Sequence, residues 1–483
     1  MNIHTKNLNE GEAACDALVL PLPEGKAGYD ESFPPSLKRL LKRVISRDFR
    51  GKLNEVMLVP APDDIAPERI LLAGLGKKNE ITPERVRQAG GKSAAALKNA
   101  GMKRICVSSR VLSASGISPT VFIEGSLLGI YTFRKYLHEK DNREIDSITL
   151  LSAPSEELQK SLRWTKAVVS SVSFARDLIN TPSNDMTPSH LARAAISLKS
   201  STLVVKVLEK KDIMKLGMGS YLSVARGSHE PPKFIILEYK GAKASPLVLI
   251  GKSVTFDSGG ISLKPSEGME KMKYDMAGGA AVLGIVKAVS ELKMPVHLIA
   301  ILPATENLPG GAAAKPGDIV RAMNGKTIEI ISTDAEGRMT LADAIAFAGR
   351  YKPKAIIDIA TLTGACSIAF GNGAIAMMGN NRELIDALKK AGEETHERVW
   401  EMPLFDEYKE FVKGDVADLK NTGGKNGSLI SSAYFLYEFA ENTPWVHLDI
   451  AGTAWVDKEK PYTPKGASGV GVRLILNFIK ELK

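Results

Sequence analysis

The chain has 483 residues, 44% of them hydrophobic and 25% charged, with a net charge of +9 at neutral pH. That length exceeds what one hydrophobic core organises, so two domains are expected, and the ordinary globular balance excludes a low-complexity or disordered class. The three cysteines, Cys15, Cys106 and Cys366, are far apart and form no C-x-x-C pair, which argues against a disulfide framework or thiolate metal site and for a reducing compartment.

In chain order, Ala17 to Leu22 reads as the first strand. Leu37, Leu40, Leu41, Val44 and Ile45 then recur at helical spacing among Lys38, Arg39, Lys42, Arg43, Arg47 and Arg50, which predicts a basic amphipathic helix across 38–50. A solvated helix that buries its leucines is favoured about three to one over a nucleic-acid footprint, because no recognised binding motif accompanies the charge. Nucleic acid is therefore the less favoured partner. Strands follow at Glu55 to Pro60, Ile70 to Leu75, Arg104 to Ser109 and Ser147 to Ser152, with helical periodicity at Pro83 to Asn99 and Val121 to Leu137. Ala153-Pro154-Ser155 breaks the pattern, so residues 1–155 are expected to form an N-terminal α/β domain and residues 156–483 a larger catalytic one.

The second domain opens with a helix from Glu156 to about Ile179 and alternates on a larger scale. Its expected strands are Phe234 to Tyr239, Leu247 to Gly251, Val296 to Leu302, Ile328 to Ser332, Ala355 to Ala360 and Val446 to Ile450, with helices such as Ala280 to Lys293 and Leu341 to Arg350. The fold class is α/β in two domains, the larger built on a central mixed sheet flanked by helices. Residues 1–20 lack a basic stretch followed by a signal-length apolar run, and no apolar run approaches the ~20 residues of a membrane span, so a soluble cytoplasmic protein is expected.

In such folds ligands collect in the loops at the carboxyl edge of the sheet. Two loops stand out there: Gly251-Lys252-Ser253-Val254-Thr255-Phe256-Asp257-Ser258-Gly259-Gly260, running on through Lys264 to Asp275, and Ser332-Thr333-Asp334-Ala335-Glu336-Gly337-Arg338. Each has an ordinary explanation. Thr333-x-x-Glu336 matches a capping box, Asp257-Ser258-Gly259-Gly260 a turn, and Asp275 a helix N-cap. Together, though, four carboxylates and two lysines in strand-end loops would repel or pair at high cost unless cations sat among them. With no cysteine or histidine in either loop, the donors suit Mg²⁺, Mn²⁺ or an oxygen-rich Zn²⁺ pair. Asp334 and Glu336, two apart, share a face if the segment is extended, and two ions ~3.5–4 Å apart can activate water for amide hydrolysis.

These two stretches resemble the signature segments of the leucyl aminopeptidase family, which includes bacterial aminopeptidase A. So do Arg176-Asp177-Leu178-Ile179-Asn180-Thr181-Pro182-Ser183-Asn184, Pro303-Ala304-Thr305-Glu306-Asn307, Asp358-Ile359-Ala360-Thr361-Leu362-Thr363-Gly364-Ala365 and His447-Leu448-Asp449-Ile450-Ala451-Gly452-Thr453-Ala454-Trp455, in the same order, so that the resemblance covers roughly 165–483. It implies two divalent metal ions per subunit, Mn²⁺ or Zn²⁺ with Mg²⁺ or Co²⁺ as alternatives: one on Asp257, Asp334 and Glu336, the other on Lys252, Asp257, Asp275 and Glu336. It further implies Lys264 as oxyanion stabiliser and Arg338 as the holder of a bicarbonate proton shuttle. Met272, Thr361, Leu362 and Gly364 would surround the substrate, although methionine often only fills a core gap. The implied activity is removal of an N-terminal leucine or other mainly hydrophobic residue from peptide substrates, by a homohexamer. Ser332 stands where the family usually has Asn, and Met339 where it usually has Leu.

Rival readings fail on particular residues. Gly251-Lys252-Ser253 imitates the end of a P-loop, but Pro246 stands where that motif needs its first glycine. His229-Glu230 is followed by Pro231 and Pro232, which forbid a zinc-protease helix, and no G-x-S-x-G surrounds Ser258 or Ser468.

Overall fold

A computed structural model of the chain describes residues 1–25, 33–45, 47–138 and 143–482. The fold divides into two compact units, Met1–Val169 with Asp457–Lys465, and Ser170–Val456 with Gly466–Lys483. The helix Glu156–Asn180 gives its first turns to one unit and its last to the other.

In the first unit, β1 (Asn2–Lys6), β2 (Ala17–Leu22), β3 (Val56–Pro60), β4 (Arg69–Gly74), β5 (Arg104–Ser108) and β6 (Ser147–Leu151) form a sheet in the order β1-β6-β5-β2-β4-β3. All its pairs are parallel except β3 with β4. The central β2 is buried along its whole length, as a continuous apolar run in a parallel sheet requires. The basic helix is shorter than its periodicity suggests: it spans Pro35–Val44, buries Leu37, Leu41 and Val44, and ends where Ile45 turns extended to bridge Phe49. Arg47 and Arg50 lie beyond it, and residue 46 is outside the described residues. The helix expected to reach Leu137 stops as Thr120–Gly129, where glycine is followed by β-branched and aromatic residues that propagate a helix poorly.

The second unit contains β7 (Leu203–Leu208), β8 (Lys233–Lys240), β9 (Leu247–Gly251), β10 (Ser253–Asp257), β11 (His297–Asn307), β12 (Ile319–Arg321), β13 (Thr327–Glu329), β14 (Ala355–Ala360), β15 (Ile375–Gly379), β16 (Val399–Glu401), β17 (Leu419–Lys420) and β18 (Trp445–Asp449). Its main sheet runs β16-β15-β18-β14-β9-β11-β8-β7, with β10 continuing beside β11, and a small sheet joins β12, β13 and β17. The main sheet is mixed. β9, β10, β11, β14 and β18 pair in parallel, as do β15 and β16, while the β7–β8, β8–β11 and β15–β18 pairs are antiparallel. Its core gathers Val248, Ile250, Ile299, Ile301, Ile356, Phe435 and Trp445. Among the described residues no helix is long and apolar enough to cross a membrane.

Two departures from the expected strands locate the site. β11 continues past Leu302 to Asn307 through Pro303, a residue that cannot donate to a ladder. On one side Pro303 pairs with Phe234 of β8, while on the side of β9 and β10 the register places it opposite Lys252, at the break between those strands. There the chain pairs elsewhere: Lys252 N donates to Ile359 O (3.0 Å), and Lys252 O accepts from Gly279 N (2.8 Å). That approach requires glycine at 279, where a Cβ would stand 2.1 Å from Ser253 Oγ. The other departure is the strand expected at Ile328 to Ser332, which stops at Glu329 because the N–H groups of Ile331 and Ser332 turn to the side chain of Asn421 (2.8 and 3.3 Å).

Candidate active site

Lys252 and Asp257 stand at the carboxyl ends of β9 and β10, and Lys264, Asp275, Asp334, Glu336 and Arg338 line the same cleft. Lys252, in the gap between β9 and β10, is almost wholly buried, and its Nζ donates to Asp275 Oδ1 and pairs with Glu336 Oε1, both at 2.8 Å, and donates to Thr361 O at 2.9 Å. Asp257 ends β10, where Oδ1 accepts from Gly259 N (2.9 Å) and Asn307 Nδ2 (2.8 Å) while Oδ2 lies 2.8 Å from Lys264 Nζ. Lys264 also reaches Asp334. Asp257, Asp334 and Glu336 can bring one carboxylate oxygen each within 4.8 Å of one another.

The ordinary local explanations account for little of this. The turn reading survives for Asp257, which does accept from Gly259 N. The capping box does not form. The helix Glu336–Ala348 starts at Glu336 with Ala335 as an uncapped N-cap, and Thr333 Oγ1 instead donates to Gly259 O (2.6 Å) and accepts from Ser262 N (2.8 Å). Nor is Asp275 a cap, because the next α-helix, Ala277–Glu291, has Met276 at that position with no side-chain bond.

Charge in this cluster is poorly compensated by the protein alone. Burial, and then the neighbouring Glu336, push Asp257 up to about 6. Burial holds Asp275 well above the carboxylate range despite Lys252, and raises Asp334 likewise. Burial also opposes the charge of Glu336, yet Lys252 and Lys264 keep its pKa below the usual value. For Lys252, burial favours the neutral amine, but Asp275, Glu336 and Asp257 outweigh it and hold the ammonium. Among the described residues, Asp275 Oδ2 is buried with no hydrogen-bond partner. A carboxylate oxygen left unpaired at this depth is costly unless something else is bound there. Hard-oxygen donors with one amine, and no thiolate or imidazole, fit divalent cations.

The remaining site residues line the same cleft, which holds about 300 Å³. Met272, Thr361, Leu362 and Gly364 all face it, with Lys252, Asp257, Lys264, Asp275, Asp334, Glu336 and Arg338. Arg338 is buried, which lowers its guanidinium to about 10, so it stays cationic at neutral pH; its Nη1 donates to Asn421 O (2.7 Å), and among the described residues its Nε has no partner.

Three residues had no role assigned from sequence. Asn421, fully buried, accepts from Ile331 and Ser332 and donates to Ser332 O (2.6 Å), which fixes the start of the Asp334 loop. Asn307 bridges Asp257 and Thr333 O (3.0 Å). Asp449 lies behind Leu362 and Thr363. Asn307 and Asp449 stand in segments that carry the family resemblance, so a signal existed for them; Asn421 sits in an unremarkable N-T-G-G loop.

Carboxylates crowded beside two lysines, at the carboxyl edge of a mixed sheet, define an α/β enzyme of the divalent-cation class. Residues 173–476 match the model of the cytosol aminopeptidase family catalytic domain, and residues 21–140 that of its N-terminal domain. The chain belongs to this family of metal-dependent hydrolases and is an aminopeptidase. It is 50% identical over 446 residues, 90% of each chain, to a probable cytosol aminopeptidase of Geotalea uraniireducens, and 46% identical over 481 residues, 96% of each, to one of Geobacter sulfurreducens. Among solved structures it resembles a lysine-to-glutamate mutant of tomato leucine aminopeptidase (TM-score 0.88, 33% identity, 99% of this chain and 96% of that one). It also resembles the bottromycin maturation enzyme BotP in complex with Mn (TM-score 0.87, 31% identity, 97% and 99%).

Proposed function

We propose that the chain removes the N-terminal residue, leucine and other mainly hydrophobic ones, from peptides in the cytoplasm, using two divalent cations. One cation would rest on Asp257, Asp334 and Glu336, the other on Lys252, Asp257, Asp275 and Glu336. The observation that carries this reading is the convergence of three carboxylates within 4.8 Å beside Asp275 Oδ2, a buried oxygen without a partner. Mn²⁺ and Zn²⁺ are the favoured ions, in keeping with the Mn named for BotP. When bound, such ions supply Lewis acidity to the scissile carbonyl and lower the pKa of water.

The chain's own residues do the rest. Met272, Leu362 and Ala451 give the cleft an apolar wall for the first side chain, and the absence of a Cβ at Gly364 leaves room beside them. A free α-amino group on the substrate would complete the coordination shell of one cation, which restricts cutting to the first residue. Lys264, kept cationic by Asp257, Glu336 and Asp334 against burial, is placed to stabilise negative charge developing on the carbonyl oxygen. Among the described residues no histidine lines the cleft to act as general base. The unsatisfied Nε of Arg338 marks a place for an anion, and bicarbonate held there would supply the proton-accepting group. Lys252 can coordinate only as the neutral amine, so metal uptake must release its proton. By family analogy the assembly is a homohexamer.

The test is chelation and resupply. Protein stripped of metal should lose hydrolysis of a leucine anilide and regain it with Mn²⁺ or Zn²⁺, while an N-acetylated substrate stays intact. Full activity in the stripped protein would sink the two-metal reading.

A further inference from the structure

Alternation along β18 sets Trp445, His447 and Asp449 on one face of the sheet. The first two fasten to the neighbouring strand: Trp445 Nε1 donates to Asp358 Oδ2 (2.8 Å), and His447 Nδ1 hydrogen bonds Asp358 Oδ1 (2.6 Å). All four side chains are fully buried. This cross-strand tie fixes β14 against β18, and therefore fixes where the Asp449 carboxylate stands relative to the chain leaving β14.

That carboxylate spans two loops of the cleft. Oδ1 accepts from Leu362 N and Ala451 N, each at 3.1 Å, and Oδ2 accepts from Thr363 N (3.1 Å) and Thr363 Oγ1 (2.7 Å). One residue upstream, Thr361 presents its carbonyl to Lys252 Nζ (2.9 Å) and its hydroxyl to Asp275 Oδ1 (2.8 Å). Asp449 itself is not among the residues lining the cleft. It touches neither the reacting groups nor the proposed cations, yet four donors on both cleft loops depend on it. A hydrophobic or neutral residue would hold those strands together as well, so strand cohesion alone does not call for a carboxylate here.

We propose that Asp449 is a positioning residue. It ties the loop after β14 to the loop after β18, and so holds Thr361 against Lys252 and Asp275 and sets Leu362 and Ala451 as the wall for the substrate's first side chain. The inference rests on the proposed two-metal aminopeptidase reading and adds to it a residue that acts only through others. Asp449→Asn keeps the shape, but wherever its amide points, an NH₂ group meets backbone N–H donors. Thr363→Val removes one bond to Oδ2 and leaves the buried carboxylate in place.

The experiment is calorimetric titration of chelator-treated protein with MnCl₂, together with KM and kcat for a leucine anilide at saturating Mn²⁺ and a melting curve. Supporting groups around metal ligands are typically worth about 10–100-fold in affinity. D449N should weaken one of two Mn²⁺ binding events by about that factor and raise KM more than it lowers kcat; T363V should do the same to a smaller degree, and Thr363→Ser should behave as wild type. A merely structural role would lower the melting temperature and leave Mn²⁺ affinity and KM unchanged in both variants, which overturns the proposal. If wild-type protein takes up no Mn²⁺, the two-metal reading fails and takes the inference with it. If wild type takes up two ions and both variants match it, the inference alone fails.

Discussion

Gly337→Ala is the smallest perturbation that should disable the cleft. A Cβ at this position would lie 2.6 Å from Lys252 Cε, 2.7 Å from Nζ and 2.9 Å from Cδ. Carbon contacts need ~3.6 Å, so the lysine tip must retreat by about 1 Å. Elsewhere a long side chain would swing aside at little cost. Here Nζ is pinned by Asp275, Glu336 and Thr361 O at 2.8, 2.8 and 2.9 Å, and it is almost wholly buried. Such a shift breaks at least one charge-assisted hydrogen bond, about 1.5–3 kcal/mol, against a helix-propensity gain of up to ~1 kcal/mol for alanine. The net loss of about 1–2 kcal/mol should lower the Tm by about 2–3 °C. A displacement of ~1 Å at a positioned group costs about 100-fold in rate, so kcat/KM with Mn²⁺ should fall by that order. Thermal unfolding and leucine-anilide kinetics on the same preparation read both. A Tm unchanged or raised, with kcat/KM within about twofold of wild type, would show that Lys252 is not held as described.

Further outcomes follow from the same geometry. Lys264→Ala should lower kcat by about 10²–10³-fold with little change in protein fold, read by kinetics and circular dichroism, if Lys264 is the proposed cationic stabiliser. Asn421→Ala strands the N–H groups of Ile331 and Ser332 and should cost about 2–4 kcal/mol in chemical denaturation, with loss of activity before global unfolding. Glu401 is held down to about 2, first by the Arg382 hydrogen bond and then, against slight burial, by Lys389. Its folded-state pKa is depressed, so its contribution is complete above the ordinary glutamate value and is lost as pH falls through that value toward 2. The site is largely open to solvent, so no more than about 1 kcal/mol is at stake. Glu401→Gln should therefore shrink the Tm drop between about pH 6 and about pH 3, and an unchanged drop would contradict the assignment.

Much of the architecture is legible as apolar runs, because strands buried on both faces need no alternation. Ala17–Leu22, Leu247–Gly251 and Ala355–Ala360 fall where the sequence places them. What is not legible is decided by partners distant in sequence. β11 runs on through Pro303, which faces the break at Lys252 on one side and pairs with Phe234 on the other, and the strand before Ser332 ends early because Asn421, about ninety residues on, takes its donors. The capping-box match at Thr333 and Glu336 shows the converse: a local pattern gives way when Gly259 and Ser262 offer Thr333 better partners. In the site, residue types and small neighbours mark the two loops, but nothing in spacing alone reveals that Thr361 orients Asp275 or that Asp449 holds Leu362.

For the carboxylate cluster we propose two divalent ions with separable ligand sets. Metal content per chain after equilibrium dialysis against excess Mn²⁺ tests this proposal most directly, comparing wild type with Asp334→Asn. Two ions per chain are expected in the wild type and one in the variant, whose retained site keeps Lys252, Asp257, Asp275 and Glu336. Two firmly held ions in both proteins, or none in the wild type, would contradict it.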